Sequence, residues 1–228
     1  MKNSTITLFV IAVFAAGCGS RDTVQTAAAA PNVISGTFTD SRDGKTYRTV
    51  GIGKLTWMAE NLNFVTDSSA CYDNADSNCT KYGRLYNWKD AMTACPAGWR
   101  LPSDEDWDKL ALAVGGQRKE YGYDGYDWKF AGKKLKSTTG WNDWEADDGK
   151  LVSGNGTDEF GFSALPGGLR WSGGYFSNAG NYGGWWSATE RGANYAWSRG
   201  VLDDMYRRSY DKTSLYSVRC VRDSAAPQ

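Results

Sequence analysis

The run Cys95-Pro-Ala-Gly-Trp-Arg-Leu-Pro-Ser-Asp-Glu-Asp-Trp107 constrains this chain more than any other feature. A residue before Pro is kept out of the helical region, so Cys95-Pro96 stops the helix expected from Trp88 to Ala94. Ser103-Asp-Glu-Asp106 then reads as a capping-box-like start, whose hydroxyl accepts from an orphan backbone N–H and whose acidic turn complements the helix dipole. Trp107, Leu110, Ala111 and Val114 recur at helical spacing, and Gly115-Gly116 ends the run. Far downstream, Tyr216-Ser-Val-Arg-Cys-Val-Arg222 places a second cysteine in a strand-like stretch. The combination reads as scaffold: one domain with its two ends tied.

The first residues read as an export signal. Lys2 supplies the positive charge, and Ile6 to Ala16 form an apolar stretch of eleven residues. A membrane-spanning helix needs about 20, whereas a stretch this short suits a signal peptide. It ends Phe14-Ala-Ala-Gly-Cys18, which resembles a bacterial lipobox, although Ala15 stands where Leu is usual. In such sequences the cysteine is acylated (palmitate-type chains) and becomes the mature N-terminus. Ordinary cleavage nearby, with Cys18 discarded or left free, is the competing reading. Gly19, with no Asp there, favours the outer membrane by resemblance to Gram-negative lipoprotein sorting. The expected organisation is a signal at 1–17, a tether at 18–35, a domain at 36–224 and a tail at 225–228.

Five cysteines make an odd set, and lipidation of Cys18 resolves it. Cys71, Cys79, Cys95 and Cys220 remain, an even number suited to an oxidising compartment and open to three pairings. Cleavage before Cys18 leaves 25 basic and 26 acidic side chains. Such a balance offers nothing to nucleic acid and little electrostatic steering, so the lipid must supply the membrane attachment. Histidine is absent, which excludes His-dependent triads, Cys-His nucleophiles and His-ligated metal sites.

Thr37 to Val50 carries a hairpin signature, with Asp43-Gly44 as the turn, and Ile52 to Trp57 returns as a further strand. Gly161 to Gly168, Gly184 to Thr189 and Tyr195 to Leu202 read as short strands. The expected class is α+β, with helices early and strands late.

Four motifs in order resemble the Fibrobacter succinogenes major paralogous domain: Cys95 to Trp107, Gly161-Phe-Ser-Ala-Leu-Pro-Gly-Gly168, Trp185-Trp-Ser-Ala-Thr-Glu190 and Ser217-Val-Arg-Cys-Val-Arg-Asp223. The resemblance covers roughly residues 37 to 223 and implies a C-type lectin-like fold. That fold would have two early helices, short antiparallel strands, long loops and termini tied by a disulfide. It implies pairing of Cys95 with Cys220, leaving Cys71 to pair with Cys79. Chain entropy assigns about 5 kcal/mol to the long loop and roughly 2 to 3 kcal/mol to the short one.

The same analogy directs attention to ligands. Trp141-Asn-Asp143 spells a calcium-lectin tripeptide, but it lies far from Cys220 and no Glu-Pro-Asn or Gln-Pro-Asp accompanies it, so it reads as accidental. Asp147-Asp148-Gly149 and Asn155-Gly-Thr-Asp158 are oxygen-rich turns able to ligate Ca²⁺, and Asx turns explain them equally well. No other cofactor or metal is expected. The formylglycine-generating sulfatase-modifying proteins share the Arg-Leu-Pro-Ser entry, but their activity needs a cysteine pair near the last strand, where only Cys220 stands.

Trp57, Trp88, Trp99, Trp107 and Trp186 read as core. The stretch from Trp171 to Tyr210 differs, mixing aromatics with arginines, residue types that give large contact area at low entropic cost. Tyr175, Tyr182, Arg191, Tyr195, Trp197, Arg199, Asp204, Tyr206 and Arg207 form the candidate ligand surface, with loop packing as the bland alternative. The expected function is a surface or periplasm-facing lipoprotein whose non-catalytic domain binds a glycan or protein ligand. A structural envelope protein without small ligand ranks second, and a carboxylate-dependent hydrolase third.

Overall fold

The computed structural model describes residues 33–121 and 125–224. The signal segment, Cys18, most of the expected tether and the tail lie outside the described residues. Turn chemistry sets the first element. β1 (Ile34–Thr39) and β2 (Thr46–Ile52) pair antiparallel around a turn in which Gly44 takes φ +73, and the Gly44 N–H donates to Asp40 O at 2.8 Å. β1 starts two residues before the expected domain boundary. β3 (Leu55–Met58) continues the meander, and its outer edge is filled from the far end of the chain by β15 (Val221–Asp223).

A seven-stranded sheet forms the other main layer, in the order β4 (Leu85–Tyr86), β14 (Tyr216–Ser217), β11 (Gly183–Glu190), β12 (Tyr195–Val201), β13 (Met205–Asp211), β6 (Gly125–Lys129) and β5 (Gln117–Tyr121). β14 lies parallel to β11, and the other pairs are antiparallel. Two short ribbons complete the strands: β7 (Trp144–Glu145) with β8 (Leu151–Val152), and β9 (Gly167–Arg170) with β10 (Phe176–Ala179). The helices α1 (Asp76–Tyr82), α2 (Trp88–Ala94), α3 (Asp104–Ala113) and α4 (Ala131–Leu135) are all short.

α3 starts at a capping box. Ser103 Oγ accepts from the Asp106 N–H at 3.2 Å, and Asp106 Oδ2 accepts from the Ser103 N–H at 2.8 Å. Its apolar stripe buries Trp107, Leu110 and Ala111 in one core with Trp57 and Val50 of the four-stranded sheet and Trp185 and Val201 of the larger one. The Trp57 and Trp107 rings lie 4.9 Å apart. A second core gathers Met58, Leu62, Tyr86, Trp99, Leu169, Trp186 and Tyr216.

The expectation of an α+β, C-type lectin-like domain with termini tied by a disulfide is corrected here. The described residues are mostly β, 39% strand against 17% helix, arranged in four sheets. Strands already dominate before Met58, and the helices that capping signals located are too short to outweigh them. Cys95 pairs with Cys220, and Cys71 with Cys79. The long disulfide joins the end of α2 to the residue before β15, so it ties the middle of the chain to its last strand. β15 is joined to the first sheet by its pairing with β3.

Between the two cores lies a buried polar node. Arg219 is 0% exposed, and among the described residues no carboxylate makes a direct ion pair with it. Its guanidinium donates to Asn61 Oδ1 (2.8 Å from Nη2), to Phe162 O and to Ser163 O, and lies 4.4 Å over the Phe162 ring. Asn61 Oδ1 also accepts from Trp185 Nε1 at 2.8 Å, while its amide nitrogen donates to Tyr82 O at 2.8 Å. Each group is hydrogen-bonded, which is what makes burial of the charge tolerable.

Removing one member strands the others. Arg219→Met is expected to destabilise the domain by about 3 kcal/mol or more, read as a lower urea midpoint at unchanged slope. Acid should act on Asp106. Burial opposes its charge, but hydrogen bonds from Arg100 and Ser103 outweigh burial and hold its pKa below the usual carboxylate value. A depressed pKa contributes stability above the unfolded value of about 4, lost as pH falls through the folded one. The melting temperature should therefore drop below about pH 4, less steeply in Asp106→Asn.

Candidate functional site

Strand alternation divides the candidate ligand residues between two faces of the large sheet. The register pairs Trp197 with Ser209 and Arg199 with Arg207, which places Trp197, Arg199 and Arg207 on the α3 side. Arg199 is 0% exposed and donates to Asp104, to Asp108 (3.0 Å) and to the Tyr126 hydroxyl (3.2 Å). Arg207 Nε donates to Asp104 Oδ2 at 2.6 Å, and its guanidinium sits 3.2 Å over the Trp197 ring. Arg191, from the β11–β12 connection, lies 5.1 Å over the same ring and donates to Ser209 Oγ at 2.9 Å. This cluster pins the acidic start of α3 to the sheet. Arg199 holds scaffold in place, and the guanidinium of Arg207 is likewise committed.

The remaining candidates do not join them. Tyr182 lies against Gly184 and Gly200, where a Cβ at Gly200 would come within 2.3 Å of its hydroxyl oxygen, and burial raises its phenol pKa. Tyr175 and Tyr195 are exposed at separate places, on the β9–β10 turn and at the start of β12. Asp204, in the β12–β13 turn, pairs with Lys129 at 2.6 Å and accepts from the Phe130 N–H at 3.0 Å. Tyr206 points to the opposite side from Arg207 and lines a different feature.

That feature is a cleft of about 380 Å³ between the β7–β8 ribbon and the β12–β13 turn. Trp144 and Tyr206 supply its aromatic surface, Asn142 and Asn181 its amides, and Lys136 and Asp203 its charges. Trp144 is 53% exposed, because a two-residue strand in a short ribbon has no core to bury it in. Trp141, by contrast, is buried, its indole N–H donating to Ala164 O and Ser137 Oγ, each at 3.1 Å. The Asn142 amide N–H₂ donates to Asn181 Oδ1 at 3.2 Å, leaving Asn142 Oδ1 and the Asn181 N–H₂ unspent among the described residues.

Lys136 is the unusual member. Its side chain is 5% exposed, its ammonium lies 4.5 Å from the Trp141 ring, and it donates to Asp203 Oδ1 at 3.2 Å. Burial pushes its pKa down, and Asp203 opposes that shift in part. An ammonium carries three donors, and among the described residues this one uses a single hydrogen bond. A buried cation with a perturbed pKa and unspent donors, opening on a cleft, is a mark of a binding site.

The oxygen-rich turns are engaged internally. Asp148 pairs with Lys150 at 2.7 Å, Asp158 accepts from Ser163 N and Oγ at 2.7 and 2.6 Å, and Asn155 Oδ1 accepts from the Trp141 N–H at 3.0 Å. Among the described residues, no group of three or more acidic or cysteine side chains converges.

A family model described as the Fibrobacter succinogenes major domain matches residues 50–222. The chain belongs to this family. No curated protein and no solved structure matches it. The match to the Fibrobacter succinogenes major domain runs from within β2 into β15, so the cleft and both disulfides lie inside it.

Of the residues lining the cleft, Tyr206 alone is among the candidate ligand residues of the sequence. Asn142 belongs to the tripeptide that reads as accidental, and no motif or spacing marks Lys136. The available signal was Trp144-Glu-Ala-Asp-Asp-Gly-Lys-Leu-Val152, a Gly-turn ribbon too short to bury its own Trp. Trp144→Phe should remove much of the acrylamide quenching of Trp fluorescence and change stability by less than about 0.5 kcal/mol, as expected for a surface substitution.

Proposed function

We propose that this domain binds a glycan without catalysis in the Trp144–Tyr206 cleft, and that a lipid on Cys18 presents it from the outer membrane. One observation carries the reading: a half-exposed Trp stands in a cleft whose other lining groups, Lys136, Asp203, Asn142 and Asn181, are hydrogen-bonding partners for hydroxyls. An aromatic face covers the apolar side of a sugar ring, while fixed donors and acceptors select its hydroxyls. Asp203 is the one carboxylate among the residues lining the cleft, and glycoside hydrolysis ordinarily uses two. That supports binding over turnover. The resemblance of Phe14 to Cys18 to a lipobox and the near-neutral charge support attachment through lipid. A structural envelope role draws on Phe130, Leu151 and Leu202, which are 59%, 72% and 38% exposed and available to a partner protein.

Affinity electrophoresis of the mature protein through gels containing β-glucan, xylan, mannan or polygalacturonate tests the reading. Retardation by at least one polymer is expected, reduced about tenfold or more in Trp144→Ala, a loss near 1.4 kcal/mol. Unretarded migration in every gel, with capture of one envelope protein instead, would favour the structural role. Retention should survive EDTA. Loss on chelation would return calcium to the Asp147–Asp148 and Asn155–Asp158 turns.

A further inference from the structure

The Lys136–Asp203 pair has a consequence for which sugars the cleft accepts, and it rests on the glycan-binding reading. Lys136 is fixed: its stem is buried, its ammonium lies against Trp141, and α4 ends just before it with the Lys136 N–H donating to Gly132 O at 2.9 Å. Asp203 is placed with equal definition, since its carbonyl accepts from the Lys133 N–H at 2.9 Å while its side chain remains 67% exposed at the cleft. The other cations on α4 are engaged elsewhere, Lys133 donating its ammonium to Asn155 O at 3.1 Å and Lys134 to Val114 O at 2.9 Å. The cleft therefore presents a buried positive charge cancelled by an exposed negative one.

We infer that the Lys136–Asp203 ion pair makes the cleft specific for uncharged sugar residues, with Asp203 as the determinant that excludes uronic and other acidic sugars. A hydroxyl can accept from an unspent Lys136 N–H and donate to Asp203, so a neutral diol satisfies both partners. A sugar carboxylate reaching for Lys136 meets the Asp203 carboxylate beside it and cannot donate to it. Like-charge juxtaposition of this kind rejects a ligand more effectively than a missing contact does.

The experiment compares neutral polymers (β-glucan, xylan, mannan) with polyuronates (polygalacturonate, alginate) by affinity electrophoresis. It uses wild type, Asp203→Asn and Lys136→Met/Asp203→Asn at about 50 and 300 mM salt, across which the screening of exposed charges changes. Wild type is expected to prefer a neutral polymer, with affinity changing less than about twofold over that salt range. Asp203→Asn should gain about tenfold in polyuronate affinity in a salt-sensitive manner, and the double variant should lose that gain. Preference of wild type for a polyuronate, weakened by salt, would overturn the inference while leaving glycan binding intact. So would an Asp203→Asn protein that melts normally and keeps wild-type preference. Absence of retention by any polymer would overturn both readings. If Asp203→Asn fails to fold, the wild-type preference and its salt response still decide.

Discussion

Burial of one arginine organises the structure. Arg219 sits between the two hydrophobic cores with no direct carboxylate contact among the described residues, so its donors are met by Asn61 Oδ1 and by the carbonyls of Phe162 and Ser163. Arg219 and these acceptors come from three remote parts of the chain: the stretch between β14 and β15, the loop after β3 and the segment before β9. A guanidinium offers five donors in a rigid fork. Meeting them with fixed acceptors sets the relative positions of the three segments in a way that apolar packing does not. Asn61 extends the constraint by accepting from Trp185 in the large sheet and donating to Tyr82 at the end of α1.

Around that node the long-range ties are of two kinds. β15 closes the four-stranded sheet by backbone pairing, and the Cys95–Cys220 bridge fastens the end of α2 beside it. The cation-rich cluster on the α3 side of the large sheet has a similar purpose. Arg199 and Arg207 converge on Asp104, at the first turn of α3, where acidic groups already favour the helix N-terminus. Within the Trp171–Tyr210 stretch, Arg199 and Arg207 are thus spent on holding a helix to a sheet. The cleft proposed for ligand lies past the β12–β13 turn.

Local chemistry was legible in the sequence wherever it was self-contained. The Asp43-Gly44 turn, the Ser103 cap and the stop at Cys95-Pro96 depend on residues a few positions apart, and each stands where short-range rules put it. The overall balance of strand and helix was not legible. β4 and β14 are two residues long and exist only because a distant partner meets them. The site was obscured for the same reason. Alternation along β12 and β13 sends Trp197 and Tyr206 to opposite faces, a separation visible only once the register is known. Lys136 gains its character from burial against Trp141, and no spacing rule announces that.

Pairing of β3 with β15 also bears on how the chain reaches this state. Thr56 and Ser224, whose hydroxyls lie 3.2 Å apart, are separated by 168 positions. A chain synthesised or threaded through a pore from its N-terminus has β3 available long before β15 emerges. In the interval one edge of the first sheet is unpaired, Trp57 lacks part of its cover and Cys95 has no partner. Such an exposed edge invites wrong pairing, and contacts this distant form slowly. Completion of the fold thus depends on delivery of β15, which makes that strand the step that commits the whole domain.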